Sequence, residues 1–206
     1  WAFWIADRPT DYAYLMSAKT LQTLKRNCLM LLQELVGEDN FKYSLSTKEG
    51  RLFGRKILLE GANDAKSENK IRGMTLGGAY CDELTLFTKD FFSMLLSRLS
   101  VKGAKLIATT NPDVPTHWLK KEYIDNAKVD MLVMRFLIDD NTTLPEEYVR
   151  EIKKEYTGVY FERFIRGNWV AAEGVIYPLF ADNPSRYIVD TLPEDLMFVT
   201  IGGDFG

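Results

Sequence analysis

Two adjacent acids, Asp82 and Glu83, directly follow an apolar run in the segment AYCDE, residues 79–83. An apolar strand that delivers two acids at its carboxyl end is a common way to build a site for nucleotide hydrolysis. There Asp82 would hold Mg²⁺, a hard cation that favours carboxylate and phosphate oxygens. Glu83 would orient and deprotonate the attacking water. The alternative is a strand that merely ends in two solvated acids, and the pair alone does not decide between them.

A second polar cluster follows the next apolar run, where Thr109, Thr110 and Asn111 come after residues 106–108. The carboxyl ends of parallel strands meet at one edge of a sheet, beside the crevice where ligands bind. Thr110 and Asn111 could therefore sense a γ-phosphate. The alternative is that Asn111 and Pro112 only form a turn. Together the two clusters favour a ligand site more than either does alone.

The elements around these clusters alternate between strands and helices, which predicts an α/β fold with a largely parallel sheet covered by helices on both faces. The apolar runs predict strands at residues 11–18, 43–46, 56–60, 74–83, 103–112, 131–138 and 196–205. Gly50 and Gly54 indicate turns in a hairpin-like stretch between the second and third of these.

Helices are predicted where apolar residues recur every three or four positions. The clearest helix precedes Gly37, with an apolar stripe formed by Leu21, Leu24, Cys28, Leu31, Leu32 and Leu35. Thr88 is a candidate N-cap for a second helix that carries Phe91, Phe92, Leu95, Leu96 and Leu99. Further helices are predicted to begin at Thr116 and at Pro145, the latter ending near Tyr156 and followed by a shorter segment up to Gly167.

Composition narrows the class of protein. The chain has 206 residues, 46% of them hydrophobic and 27% charged, which is typical of a globular protein. No run approaches the ~20 apolar residues of a membrane span, and the first residues do not resemble a signal peptide. Cys28 and Cys81 are far apart and lack ligand spacing, so neither a disulfide framework nor a zinc site is indicated. The net charge of −3 does not suggest a protein that coats nucleic acid with its whole surface.

The series of motifs, taken in order, resembles the large terminase subunits of tailed phages and prophages, over nearly the whole chain. The resemblance is carried by the segments IRGMTLGGAYCDELTLF, FFSMLLSRLS, TTNPDVPTHWLKKEYI, DDNTTLPEEYVREIKKEYTG, RFIRGNWVAAEGVIYPLF and IGGDFG. It implies a P-loop NTPase-like ATPase fold over residues 1–138. It also implies a helical linker subdomain with a connecting loop over residues 139–195, and the first strand of an RNase H-like nuclease domain over residues 196–206.

The resemblance also implies roles for individual residues. Asp82 and Glu83 correspond to the Walker B pair, with Asp82 as the Mg²⁺ ligand, and Thr109, Thr110 and Asn111 to the motif that couples hydrolysis to DNA movement. Asp204 corresponds to the first acid of a nuclease site that uses a divalent metal such as Mg²⁺ or Mn²⁺. Arg72 and Arg98 match recurrent arginine positions that could meet a phosphate or an acid, although a salt bridge at the surface or core edge is the alternative for each.

Two departures from the family pattern limit the expected activity of the chain itself. It contains no GxxxxGK[ST] phosphate-binding loop, and the resemblance places that loop and its strand before Trp1. Because that strand is expected beside the one that ends at Asp82, its absence should leave unpaired backbone inside the sheet and lower stability. Two-metal cleavage also needs several carboxylates, and only Asp204 is present. We therefore expect a fragment that neither hydrolyses ATP nor cuts DNA alone.

For the intact protein, the resemblance implies ATP-driven packaging of double-stranded DNA into phage procapsids, with cleavage by the nuclease domain. The implied partners are double-stranded DNA, the portal protein, the small terminase subunit and further copies in a ring on the portal, in the cytoplasm of a bacterial host and without a membrane. Two alternatives stay open here: another DNA-dependent ATPase such as a helicase, and a nonenzymatic assembly remnant.

Overall fold

The computed structural model describes residues 1–63, 66–171 and 183–188, which form two units. The first unit comprises residues 1–112 and 122–131, and the second comprises residues 113–121 and 132–206. None of the described helices is long and apolar enough to cross a membrane.

The first unit is built on a six-stranded sheet in the order β2-β3-β4-β1-β5-β6. The strands are β1 (Ala13–Ala18), β2 (Phe41–Ser44), β3 (Glu49–Leu52), β4 (Arg55–Gly61), β5 (Leu76–Cys81) and β6 (Lys105–Ala108). β4, β1, β5 and β6 are parallel, whereas β2, β3 and β4 form an antiparallel meander. The largely parallel α/β sheet predicted from the sequence is therefore confirmed.

The helices of this unit include the two predicted from the sequence, before Gly37 and after Thr88. They are α1 (Ala2–Ala6), α2 (Leu21–Leu24), a π-helical stretch (Lys25–Leu29), α3 (Met30–Val36), α4 (Glu68–Ile71) and α5 (Lys89–Arg98). Thr88 caps α5 as expected, because its side chain accepts a hydrogen bond from the backbone N–H of Phe91 at 3.3 Å. Phe91, Phe92 and Leu95 of α5 are buried.

The helix before Gly37 is continuous, but its buried face differs from the predicted stripe. Leu24 and Leu29 are fully buried, whereas Leu31 and Leu35 are 52% and 73% exposed. The π-helical stretch explains the difference, because its wider turn adds a residue and rotates the following positions away from a regular 3.6-residue stripe.

Two strand predictions need correction. The hairpin-like stretch contains three strands rather than two, because Gly50 lies inside β3 instead of breaking it. A Cβ at Gly50 would lie 2.8 Å from the carbonyl oxygen of Lys42, so the close approach of β2 requires glycine. Residues 131–138 form no strand and pair with none in the described part of the chain. An apolar run can form a strand only beside a partner that completes its hydrogen bonds, and Leu132 and Phe136 are instead 85% and 72% exposed.

The expected gap beside the strand of Asp82 is also absent. β5 pairs with β1 on one side and with β6 on the other, so the backbone of β5 is hydrogen-bonded along both edges. Among the described strands, β6 lies at one end of the sheet. The low stability argued from an internal gap therefore has no basis in this sheet.

The second unit contains short helical elements. They are a 3₁₀ turn (Ile138–Asp140), α6 (Glu146–Glu155), α7 (Gly158–Tyr160), a π-helical stretch (Phe161–Ile165) and a 3₁₀ turn (Pro184–Arg186). A further π-helical stretch (Leu119–Ile124) follows the predicted helix start at Thr116 and crosses the boundary between the units. Within the second unit, Arg163 forms an ion pair with Asp113 at 2.9 Å and donates to the carbonyl oxygen of Val170. The strand predicted at residues 196–205 lies outside the described residues.

Candidate active site

The carboxyl ends of β5 and β6 lie side by side, which brings the two polar clusters of the sequence together. Cys81 is in register with Ala108, so the residues that follow them, Asp82 and Thr109, are neighbours. The backbone N–H of Thr109 donates to the carbonyl oxygen of Cys81 at 3.0 Å, and that of Leu84 donates to the carbonyl oxygen of Thr109 at 3.0 Å. Backbone hydrogen bonds therefore fix the loop after β5 against the loop after β6.

Asp82 is a buried carboxylate, 8% exposed, held by three elements. Its backbone N–H donates to the carbonyl oxygen of Ser17, at the end of β1, at 2.8 Å. Its Oδ1 accepts from the Thr109 hydroxyl at 3.1 Å, and its Oδ2 accepts from the Asn27 amide at 3.1 Å. Because both oxygens accept from neutral donors, the carboxylate is oriented and its desolvation is partly compensated.

Glu83 has a left-handed backbone, with φ 55° and ψ 56°. Such a conformation is uncommon for a non-glycine residue and costs of order 1–3 kcal/mol, and such strained residues cluster at functional sites. The carboxylate of Glu83 accepts from Asn111 Nδ2, at 3.1 Å to Oε1 and 3.3 Å to Oε2. The side-chain amide of Asn111, in the loop after β6, thus orients the carboxylate of Glu83, in the loop after β5.

Thr110 fixes the same loop through Thr85. Its hydroxyl oxygen accepts from the backbone N–H of Thr85 at 3.0 Å and lies 2.8 Å from the Thr85 hydroxyl. All three residues of the predicted 109–111 cluster therefore contact the loop that carries the two acids. The sequence predicted their proximity but not these individual hydrogen bonds.

Cys28 and Tyr80 complete the surroundings of Asp82 with neutral groups. Burial raises the pKa of the Cys28 thiol to about 12, and the negative charge of Asp82 adds to this increase. Burial also raises the pKa of Tyr80, whose hydroxyl lies 3.3 Å from that of Thr109. Both groups keep their protons at neutral pH, so they contribute hydrogen bonding and shape rather than charge.

Sequence reasoning missed Asn27 and Ser17. Asn27 lies in the π-helical stretch after α2, and Ser17 lies near the end of β1. The one available signal is that Asn27 is a polar residue, of low helix propensity, inside an otherwise regular helical pattern. Its contact with Asp82 spans 55 positions of sequence and depends on the fold.

The two arginines lie elsewhere. Arg72 pairs with Glu68 at 3.3 Å, and Arg98 donates to the Ser97 hydroxyl at 3.1 Å. In the described part of the chain neither guanidinium hydrogen-bonds to Asp82 or Glu83. Their role towards a phosphate or acid stays a prediction, and so does that of Asp204, which lies outside the described residues.

The donor set at this edge fits Mg²⁺. No group of three or more His, Cys, Asp or Glu side chains that could enclose a metal occurs among the described residues. Mg²⁺ usually keeps several waters and binds through one or two carboxylates plus substrate phosphates, rather than in an all-protein cage. Asp82, with the nearby Glu83 carboxylate and Thr109 hydroxyl, offers oxygen ligands of that kind.

Comparison with protein families defines the class. Residues 34–182 match the family described as "Terminase large subunit, T4likevirus-type, N-terminal". The chain therefore belongs to the large terminase family, whose members act in phage DNA packaging. This confirms the resemblance found from the sequence.

Solved structures agree with this assignment. A large terminase from a thermophilic bacteriophage, in complex with ADP, is 31% identical with a TM-score of 0.76, over 86% of this chain and 46% of that one. The same terminase in complex with ATP-γ-S is 31% identical with a TM-score of 0.74, over 86% of this chain and 45% of that one. The chain thus spans less than half the length of these relatives. No curated protein sequence matches it.

Proposed function

We propose that this chain supplies the hydrolytic acids of an ATP-driven motor, which in the intact protein moves double-stranded DNA into phage procapsids. One observation carries the proposal: both acids that follow β5 are held by the polar cluster that follows β6, Asp82 by Thr109 and Glu83 by Asn111. The ADP and ATP-γ-S complexes of the thermophilic phage terminase support a nucleotide ligand.

Each acid has a distinct part in the proposed reaction. Asp82 would hold Mg²⁺, directly or through a water, because its carboxylate is fixed in place by two neutral donors. When bound, the ion would neutralise charge on the transferred phosphate. Glu83 would accept the proton of the attacking water, and Asn111 would set the direction of its carboxylate.

The 109–111 cluster would also link hydrolysis to movement. Since Thr109 and Asn111 each hold one acid, a shift of the loop after β6 would change the geometry of both acids at once. Such a loop is a small switch that responds to the γ-phosphate and transmits its loss.

Further roles in the intact protein are proposed from the family. They comprise domain boundaries after residues 138 and 195, and a nuclease domain in which Asp204 binds a divalent metal such as Mg²⁺ or Mn²⁺. They also comprise the portal protein, the small terminase subunit, a homo-oligomeric ring and action in the bacterial host cytoplasm. The family assignment supports these roles.

The proposal is tested by measuring DNA-stimulated ATPase activity and ATP-dependent DNA packaging. Both assays compare the full-length wild-type protein with Glu83→Gln and Asp82→Asn. Glu83→Gln should retain nucleotide binding and lose turnover by roughly 10²–10⁴-fold, the usual contribution of a general base. Asp82→Asn should raise the Mg²⁺ concentration needed for half-maximal turnover. Wild-type turnover in both variants would refute the assignment.

A further inference from the structure

A small cavity opens at the opposite edge of the sheet from Asp82, near the amino-terminal ends of β1 and β5. Its volume is about 230 Å³, and its lining includes Arg8, Pro9, Tyr14, Gly77 and Lys102. All of these belong to the first unit. The volume lies below the ~300–1,000 Å³ typical of sites for whole small molecules, so the cavity suits a single compact group.

Arg8, one of the residues that line this cavity, carries a hydrogen-bond donor without a partner in the described part of the chain. Its Nε is buried and has no hydrogen-bond partner among the described residues. A buried donor without a partner is unusual in a folded protein and costs free energy unless a ligand or water satisfies it. The guanidinium lies over the Trp4 ring at 5.4 Å, which restricts its orientation.

The charge around the cavity is mainly positive. Arg8 and Lys102 line it, and Arg55 donates to the carbonyl oxygen of Arg8 at 2.8 Å. Within the described ranges, none of these three cations forms an ion pair with a carboxylate. The carboxylate of Asp11, which is exposed, adds to the rise in the pKa of Tyr14.

Packing and a hydrogen bond fix the position of Tyr14 in the wall of the cavity. Tyr14 is 1% exposed, and its hydroxyl donates to the carbonyl oxygen of Pro9 at 2.8 Å. A Cβ at Gly77 would lie 2.8 Å from the Tyr14 ring, so glycine is needed to seat that ring. Burial raises the pKa of Tyr14, and the positive charges of Arg55 and Arg8 oppose the increase. The hydroxyl therefore stays a neutral hydrogen-bonding group.

We propose that this cavity binds one phosphate-type oxyanion, with the Arg8 guanidinium as its main ligand and Lys102 as a second charge. Guanidinium groups match the geometry of phosphate oxygens, and a lysine adds a point charge. The oxyanion can belong to a DNA backbone or be a free phosphate. Binding of an oxyanion here would require neither ATP hydrolysis nor the acids at the other edge of the sheet. A failure of this binding would therefore leave the proposed function unaffected.

The first experiment titrates inorganic phosphate into the full-length protein and follows arginine Nε–H resonances by NMR, with sodium chloride of equal ionic strength as reference. The Arg8 resonance is the one lost in Arg8→Gln, and it should move downfield as phosphate binds. Arg8→Gln should weaken binding roughly 10- to 100-fold, the range for a lost hydrogen bond to a charged group. Lys102→Gln, an exposed position where misfolding is not expected, should weaken it by a smaller factor.

The second experiment identifies the source of the oxyanion. Affinity for duplex DNA is measured against salt concentration, where each phosphate contact contributes about −0.9 to the logarithmic slope. If the ligand is a backbone phosphate, Arg8→Gln should make the slope shallower by about one. If the ligand is free phosphate, the slope should not change although phosphate binding is lost. Arg51→Gln and Lys42→Gln are matched controls, because both side chains are exposed on β3 and β2, outside the cavity.

Two results would overturn the proposal. The first is an Arg8 Nε–H resonance that responds equally to phosphate and chloride, together with a DNA salt slope that is the same in wild type, Arg8→Gln and Lys102→Gln. An effect of the control substitutions as large as that of Arg8→Gln would also overturn it, because the binding would then be a property of the general surface charge.

Discussion

Removal of the Asn111 amide tests whether the loop after β6 sets the position of the proposed base. Asn111 Nδ2 donates to both oxygens of Glu83, at 3.1 and 3.3 Å. A hydrogen bond to a charged group contributes about 1.5–3 kcal/mol, and the exposure of Asn111 puts this one at the low end. Since ~1.4 kcal/mol corresponds to a tenfold change in rate, Asn111→Ala should lower turnover about tenfold.

The informative comparison is the double variant. If Asn111 acts only through Glu83, Glu83→Gln together with Asn111→Ala should be no slower than Glu83→Gln alone. The coupling energy between the two positions should then equal the whole effect of Asn111→Ala, about 1.4 kcal/mol. The assay is DNA-stimulated ATPase turnover of the full-length protein, measured with saturating ATP and Mg²⁺.

Asn141→Ala is the matched control, because Asn141 lies in an exposed turn of the second unit and bonds only to Thr143 through its side chain among the described residues. It should leave turnover unchanged. Losses that multiply in the double variant would refute the reasoning, since they would mean that Asn111 contributes to hydrolysis independently of Glu83.

Three further predictions concern packing and protonation. Gly78→Ala should lower stability by roughly 1–3 kcal/mol in thermal unfolding, because its Cβ would lie 2.6 Å from the Trp4 ring and 3.2 Å from the carbonyl oxygen of Lys105; an unchanged midpoint would contradict this packing. Thr88→Ala should cost up to about 1 kcal/mol by removing the cap of α5, whereas Thr88→Ser should restore most of it; equal losses in both variants would exclude a capping role. Cys28, whose pKa is about 12, should resist alkylation in the native protein at pH 8 and react once the chain is unfolded. The thiolate forms only as the pH approaches 12, so rapid native labelling at pH 8 would contradict the buried environment.

Local sequence patterns were sufficient to predict β5, β6 and α5 and the meeting of the two polar clusters. Each depends on short-range signals: an apolar run that ends in polar residues, and a threonine before a helical stripe. The shared edge follows because parallel strands align their carboxyl ends. Asp82, Glu83 and the 109–111 cluster could therefore be placed together before the fold was known.

The features that sequence did not predict depend on contacts between distant segments. β3 was missed because Gly50 is required by the approach of Lys42 from β2, which no local pattern encodes. The strand expected at residues 131–138 has an apolar sequence but no pairing strand in the described part of the chain. Asn27 donates to Asp82 across 55 positions of sequence, so no local pattern could predict this hydrogen bond.

The central claim is that nucleotide is hydrolysed at the carboxyl edge of β5 and β6. The most direct measurement is a crystal structure of the full-length protein with Mg²⁺ and a non-hydrolysable ATP analogue. We expect Asp82 to bind the ion, directly at about 2.0–2.1 Å or through one water, and Glu83 to lie within hydrogen-bond reach of a water beside the terminal phosphate. A terminal phosphate bound away from both acids, for example beside Arg8 at the opposite edge of the sheet, would contradict the account.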